Sequence, residues 1–83
     1  MKLKQELYDA VIRGDAAETK RLTQEAIAVG IDPQRIVEGG MVPAMDEVGA
    51  RFARREFFIP ELMVSARAMK AGMALIRPLL AAG

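Results

Sequence analysis

The chain has 83 residues, of which 52% are hydrophobic and 28% charged, with 12 basic against 11 acidic side chains and a net charge of +1. That length bounds it to one domain of marginal stability, since so short a chain buries only about 60–65% of its unfolded surface. The apolar content excludes a disordered tail, the balanced charge excludes a global field for recruiting nucleic acid, and the absence of both cysteine and histidine excludes a disulfide framework, a His-based general base and a conventional zinc site.

Residues 2–13 place Leu3, Leu7, Ala10 and Val11 on one helical face, flanked by Tyr8 and Ile12. Gly14 stops this first helix, because glycine takes the left-handed C′ conformation without a Cβ penalty. Asp15 then suits an N-cap, and Glu18 three residues later completes a capping-box pattern. The second helix is predicted to run to about Val29, with Leu22, Ala26 and Val29 inward and Ile27 beside them. Gly30 ends it, and Ile31 packs back over the last turn.

Asp32-Pro33 is the next start signal, an N-cap followed by proline at N1, with Ile31 and Ile36 spaced as a hydrophobic staple. Val37, Met41, Ala44, Val48 and Phe52 form one stripe of a long third helix, roughly 33–54, with Met45 alongside. Gly39-Gly40 weakens that helix by about 1 kcal/mol per glycine relative to alanine, and Pro43 clashes with the carbonyl four residues back and cannot donate to it. The stripe keeps its phase across the fault, so a kink near Pro43 is predicted, with the glycines allowing another helix to approach closely. Pro60 marks a fourth start. Leu62, Ala66, Met69, Met73, Ile76 and Leu80 then step 4, 3, 4, 3, 4 as a bundle seam. Pro78 is expected to distort the last turns, and Ala81-Ala82-Gly83 to fray as the edge of a linker. Short connections imply antiparallel neighbours: an all-α, up-down-up-down four-helix bundle with two shorter and two longer helices.

Few residues offer chemistry. Glu38, Asp46, Glu47 and Glu61 form no Glu-x-x-His pair, so the usual di-iron bundle is excluded and they read as solvated faces. Arg51, Arg54 and Arg55, with Lys20, Arg21 and Arg35, lack the clustering of a nucleic-acid footprint. Surface solvation and a favourable term at a helix C-terminus explain Arg54 and Arg55. Met41, Met45, Met69 and Met73 read as core, and Met63 stands next to the aromatic turn. No apolar run approaches the ~20 residues of a membrane span, and Met1-Lys2-Leu3-Lys4 opens a helix pattern rather than a signal peptide. A soluble cytoplasmic protein with no membrane partner is expected.

One stretch carries more apolar surface than a turn needs. Val48 to Pro60 holds all three phenylalanines, Phe52, Phe57 and Phe58, together with Ile59. Either these side chains plug the end of the bundle, or the surplus stays exposed as a surface for a partner or ligand. Periodicity and composition leave both readings open.

Four motifs along the chain bear on that choice: Leu7-x3-Val11-x2-Gly14-Asp15, Gly30-x-Asp32-Pro33, Met45-x2-Val48-Gly49-x2-Phe52-x5-Phe58-Ile59-Pro60-Glu61, and Ala66-x2-Met69. Together they resemble the helical cap domain of cobalamin-dependent methionine synthase and of the small corrinoid proteins of methyl-transfer systems. The resemblance spans essentially the whole chain, and its most specific part is Val-Gly-x2-Phe followed by Phe-Ile-Pro. It implies a four-helix cap that shields the upper face of methylcobalamin, a partner Rossmann-like cobalamin-binding domain whose Asp-x-His-x-x-Gly histidine ligates cobalt, and methyltransferase subunits as further partners. By resemblance Phe52, Ile59 and Leu62 contact the cofactor. Phe57, Phe58 and Met63 belong to the apolar cap end, with Phe58 the more readily placed in packing. The role implied is non-catalytic. The sequence ends at Gly83 without histidine or the cobalt-ligating motif, so no tightly bound corrinoid is expected on this chain alone. The alternative is a stand-alone helical interaction or dimerisation module, a homodimer that pairs through the same apolar end.

Overall fold

The computed structural model describes residues 2–82. Its elements are α1 (Lys2–Arg13), α2 (Ala16–Ala28), α3 (Pro33–Ile36), a π-helical turn (Val37–Met41), α4 (Val42–Ala53) and α5 (Ile59–Ala82). Because α3, the π turn and α4 follow without a break, they form one bent helix, and the architecture is the expected four-helix bundle, with no strand among the described residues. At 1.5 Å per residue the 24 residues of α5 extend about 36 Å, close to the molecule's 38 Å long axis. It is the spine against which α2, α1 and α4 pack. No described helix is long and apolar enough to cross a membrane.

The helix starts follow their capping chemistry. Asp15 accepts the Glu18 N–H at 3.0 Å, and Asp32 accepts the Gln34 N–H at 3.0 Å with Pro33 behind it. Ile36 is buried, and Ile31 packs against the same cluster, as the staple requires. The box expected at Glu18 is only half made. The Asp15 N–H already donates to the Ala10 carbonyl at 2.9 Å, so Glu18 has nothing to bond there and its carboxylate turns to Arg21 at 2.7 and 2.8 Å.

That Ala10 bond belongs to a tight stop at the end of α1. Gly14 (φ 72°) donates to Val11 O and Asp15 to Ala10 O, the paired bonds of a Schellman motif. The Ile12 carbonyl, another of the orphan acceptors of this helix end, takes the hydroxyl of buried Ser65 on α5 at 3.1 Å. Next to Ser65, Val64 lies so close to Gly14 that a Cβ there would fall on its Cγ1. Gly14 is therefore fixed twice, by backbone sign and by the approach of α5.

The seam of α5 differs from the expected one. Ser65, Ala68, Gly72 and Ile76 are the buried line, Leu62, Met69 and Met73 flank it half-buried, and Ala66 and Leu80 are exposed. The buried stripe is rotated toward small residues because α2 meets α5 along Thr19 and Thr23, both fully buried. Their hydroxyls donate to the carbonyls of Asp15 (2.8 Å) and Thr19 (2.7 Å), so each polar atom is satisfied within its own helix. A Cβ on Gly72 would stand 3.0 Å from Thr23 Oγ1 and 3.2 Å from Thr19 Cγ2. A larger residue would hold the helices apart. Val29, expected inward, is the C-cap of α2 and is exposed, and Ile31 covers that last turn instead.

The predicted kink is a π turn immediately before Pro43. The Val42 N–H reaches back to the Val37 carbonyl, and the extra residue in the turn relieves the conflict at Pro43, which then sits in the first turn of α4. Gly40 is buried there, and a Cβ on it would stand 3.0 Å from Leu7 Cδ2, so α1 does approach closely at the glycines. At the other end, α5 continues through Pro78 and includes Ala81 and Ala82, which were expected to fray; Gly83 lies outside the described residues.

Removing the hydroxyl that bonds across α1 and α5 tests this account. Ser65→Ala leaves the Ile12 carbonyl buried without that partner and is expected to cost about 1–3 kcal/mol. In urea unfolding the midpoint should fall while the slope stays the same.

Candidate functional site

The surplus apolar residues lie where α4 turns into α5. Helix α4 closes with the same bonds as α1: Arg55 donates to Phe52 O at 3.0 Å and Glu56 to Arg51 O at 2.8 Å. Here the left-handed position is held by arginine, at φ 65°, the one non-glycine residue with positive φ among those described. The N–H of Phe57 also reaches Arg51 O, at 3.1 Å. Phe58 then stands at the N-cap of α5, where its N–H donates to Glu61 Oε1 at 2.6 Å. Glu61, read as a solvated acid, thus makes the back-bond of a capping box.

Side-chain pairs stiffen this turn from outside. The Glu47 carboxylate accepts Arg51 at 2.9 Å and Arg54 at 3.3 Å, and Arg54 also reaches Glu56 at 2.8 Å. The Arg51 guanidinium lies 5.4 Å from the centroid of the Phe57 ring, within cation–π range. Hydrogen bonds from Arg51 and then Arg54 hold the Glu47 carboxyl below its ordinary 4.5, and Arg54 does the same for Glu56.

The turn divides the phenylalanines between packing and exposure. Phe57 packs on the cluster of Val11, Ile12, Ala44 and Val48, as does half-buried Leu62. Phe52, Phe58, Ile59 and Met63 are 42%, 60%, 58% and 59% exposed. Of the possible cap-end residues Phe57, Phe58 and Met63, Phe57 is half-buried against the core, while Phe58, more readily placed in packing, faces outward with Met63. The left-handed residue reverses the chain so that the next ring, Phe57, lies back over the core, which leaves Phe58 at an N-cap whose side chain points away from it. The stretch therefore divides, with Phe57 closing the bundle end and Phe52, Phe58 and Ile59 left exposed. Ile59 and Met63, four apart on α5, share a face.

Two measurements check the turn. Arg55→Gly is expected to stabilise the fold by about 1 kcal/mol, because glycine takes the left-handed conformation without the Cβ conflict; denaturant unfolding reads it. Glu47 is expected to titrate below 4.5 in an NMR carboxyl titration. A depressed carboxylate contributes stability that is fully present above its unfolded value and is lost as the pH falls through the lower native value. The α4–α5 turn should accordingly loosen only on the acid side of 4.5.

The chain is 38% identical over 78 residues to monomethylamine corrinoid protein 1 of Methanosarcina mazei, covering 89% of this chain and 36% of that protein. A corrinoid protein of Desulfitobacterium hafniense is 37% identical over 78 residues, covering 94% of this chain and 36% of its own length. The structure of the Methanosarcina barkeri monomethylamine corrinoid protein superposes with a TM-score of 0.92 at 33% identity, over 95% of this chain and 37% of that one. The chain thus spans about a third of the length of these relatives. Residues 3–77 match the family described as B12 binding domain, and the chain belongs to that family.

Proposed function

We propose that this chain is the cap module of a corrinoid protein in methyl transfer, lying over the upper face of the cofactor. The observation that carries the reading is the apolar end of the bundle, where Phe52, Phe58, Ile59 and Met63 stand exposed on a turn fixed by backbone and ion-pair bonds. Phe52 and Ile59 are the residues assigned to the corrinoid face, with Leu62 behind them. Leu62 is half-buried against the Val11 cluster, so its part is to support the wall as well as to form it.

When bound, the corrinoid supplies a cobalt centre that carries the methyl group. The donor chemistry of this end fits such a neighbour: Phe52 and Ile59 offer a ring and a branched alkyl chain, which exclude water without offering a competing ligand. The role assigned to the chain is non-catalytic, in a cytoplasmic protein. Its partners on this reading are a cobalamin-binding domain and a methyltransferase.

The test grafts this chain in place of the matching third of the M. barkeri monomethylamine corrinoid protein and follows photolysis of bound methylcobalamin. Phe52→Ala and Ile59→Ala are expected to speed photolysis and aquation severalfold while cofactor stays bound. Unchanged rates with full occupancy would remove the shielding role. The alternative, self-pairing through the same end, predicts a concentration-dependent mass in sedimentation that Phe58→Asp abolishes.

A further inference from the structure

A second apolar surface lies away from the α4–α5 turn. Met45 of α4 and Ala66, Met69, Lys70, Met73 and Arg77 of α5 line an open groove of about 270 Å³. On α5 these residues recur at helical spacing, so they form one continuous stripe beside the buried seam. Met69 and Met73 have their inner sides packed on the core cluster that contains Met41 and Ile76, and Met45 packs on the Val48 cluster. Their outer sides form the groove floor. Thioether chains are flexible and polarizable, and a floor made of three of them can adapt to the side chains of a partner.

The charge on the groove points to the kind of partner. No acidic residue lines it, and its polar groups are Lys70 and Arg77. After Glu61, every charged residue of α5 is basic: Arg67, Lys70 and Arg77. The ion pairs of the described residues lie elsewhere, within α2 and around the α4–α5 turn, and none of them engages these three cations. A methionine floor bordered by two unpaired cations is complementary to an apolar helix face edged with carboxylates.

We infer that the α4–α5 groove is a docking site for an acidic amphipathic helix of a partner protein, with Met45, Met69 and Met73 receiving its apolar anchors and Lys70 and Arg77 pairing with its carboxylates. The inference does not depend on the cap reading, because none of these residues belongs to the end assigned to the corrinoid. It provides the chain with a second contact surface, one that leaves the Phe52–Ile59 end free.

The experiment uses the 83-residue chain and three synthetic peptides of about 16 residues, a length that forms roughly four helical turns. One carries leucine anchors at i, i+3 and i+7 with glutamate flanks, one has the same anchors with lysine flanks, and one has the glutamates but serine in place of leucine. Fluorescence anisotropy reads affinity, and ¹³C-methyl NMR of the methionines reads location. The acidic leucine peptide is expected to bind at least tenfold more tightly than either control and to shift the Met45, Met69 and Met73 methyl signals while leaving Met63 in place. Lys70→Glu with Arg77→Glu should reverse the preference between acidic and basic peptides. Both residues border the open groove, and a circular-dichroism melt confirms that this double variant folds. No binding by the acidic peptide up to about 1 mM, a free-energy bound of roughly −4 kcal/mol, overturns the proposal. So does equal binding of the acidic and basic peptides, a shift confined to Met63, or self-association of the chain through the groove.

Discussion

The junction between the end of α1 and the start of the long α5 governs how the rest of the bundle can sit. The chain must stop a helix, turn within two residues and still let α5 cross against the stop. Gly14 makes the turn, Val64 occupies the space that a Cβ would need, and Ser65 satisfies the Ile12 carbonyl that the helix end leaves open. These three demands fall on adjacent atoms, so they fix the height and rotation of α5 relative to α1. With α5 rotated in this way, its small residues Ala68 and Gly72 face α2, and the threonines of α2 must then be buried there. The methionines are displaced to the flank, where the same rotation that closes one face opens the groove on the other.

A second constraint acts at the C-terminal end of α4. There the bundle places an arginine where a glycine would be less strained, and surrounds it with bonds that would hold the turn in any case. The Glu47–Arg51–Arg54–Glu56 group lies at the surface, with Glu47 and Arg51 half-buried, and surface pairs of this kind contribute little to global stability. Their effect is local. They restrain the turn that aims Phe58 and Ile59 outward, while Phe57 and Leu62 tie the same segment to the core. An exposed apolar surface on a restrained support loses little conformational entropy when it is covered, which suits a wall better than a flexible loop would.

Much of this was legible in the sequence, for reasons that are local. Glycine, proline and aspartate announce helix ends through their own backbone chemistry, so Gly14, Asp15, Gly30, Asp32-Pro33 and Pro43 marked the starts, stops and bend close to where they occur. The packing partner of each face is not local, and there the reading failed in specific ways. Periodicity points to large apolar side chains as the seam of α5, whereas the buried line runs through Ser65, which meets the Ile12 carbonyl 53 positions earlier, and Gly72, which lies against the threonines of α2. Threonines four apart at 19 and 23, able to back-bond to their own helix, were the available sign that this face could be buried. The split between Phe57 and Phe58 was illegible because it follows from a left-handed arginine, a conformation that its residue type does not announce.

The size of the exposed end bears on how a cap can work. Each fully buried large apolar side chain contributes about 1.5–3 kcal/mol. Phe52, Phe58, Ile59 and Met63 are each about half exposed, so covering all four contributes on the order of 3–6 kcal/mol in total. On the proposed cap reading, a gain of that size favours the closed arrangement and leaves opening accessible to thermal fluctuation and to a partner that offers substitute contacts. Stronger fastening by buried ion pairs would shield equally well but would oppose the opening that methyl transfer needs. The residues at this end suit that balance, since Glu47, Arg51, Arg54 and Glu56 pair among themselves beside the apolar surface rather than within it. On the same reading, a partner that opens the cap gains by holding it away from the Phe52–Ile59 end, and the proposed groove, with its methionine floor and cations on a separate stripe of α5, is such a place.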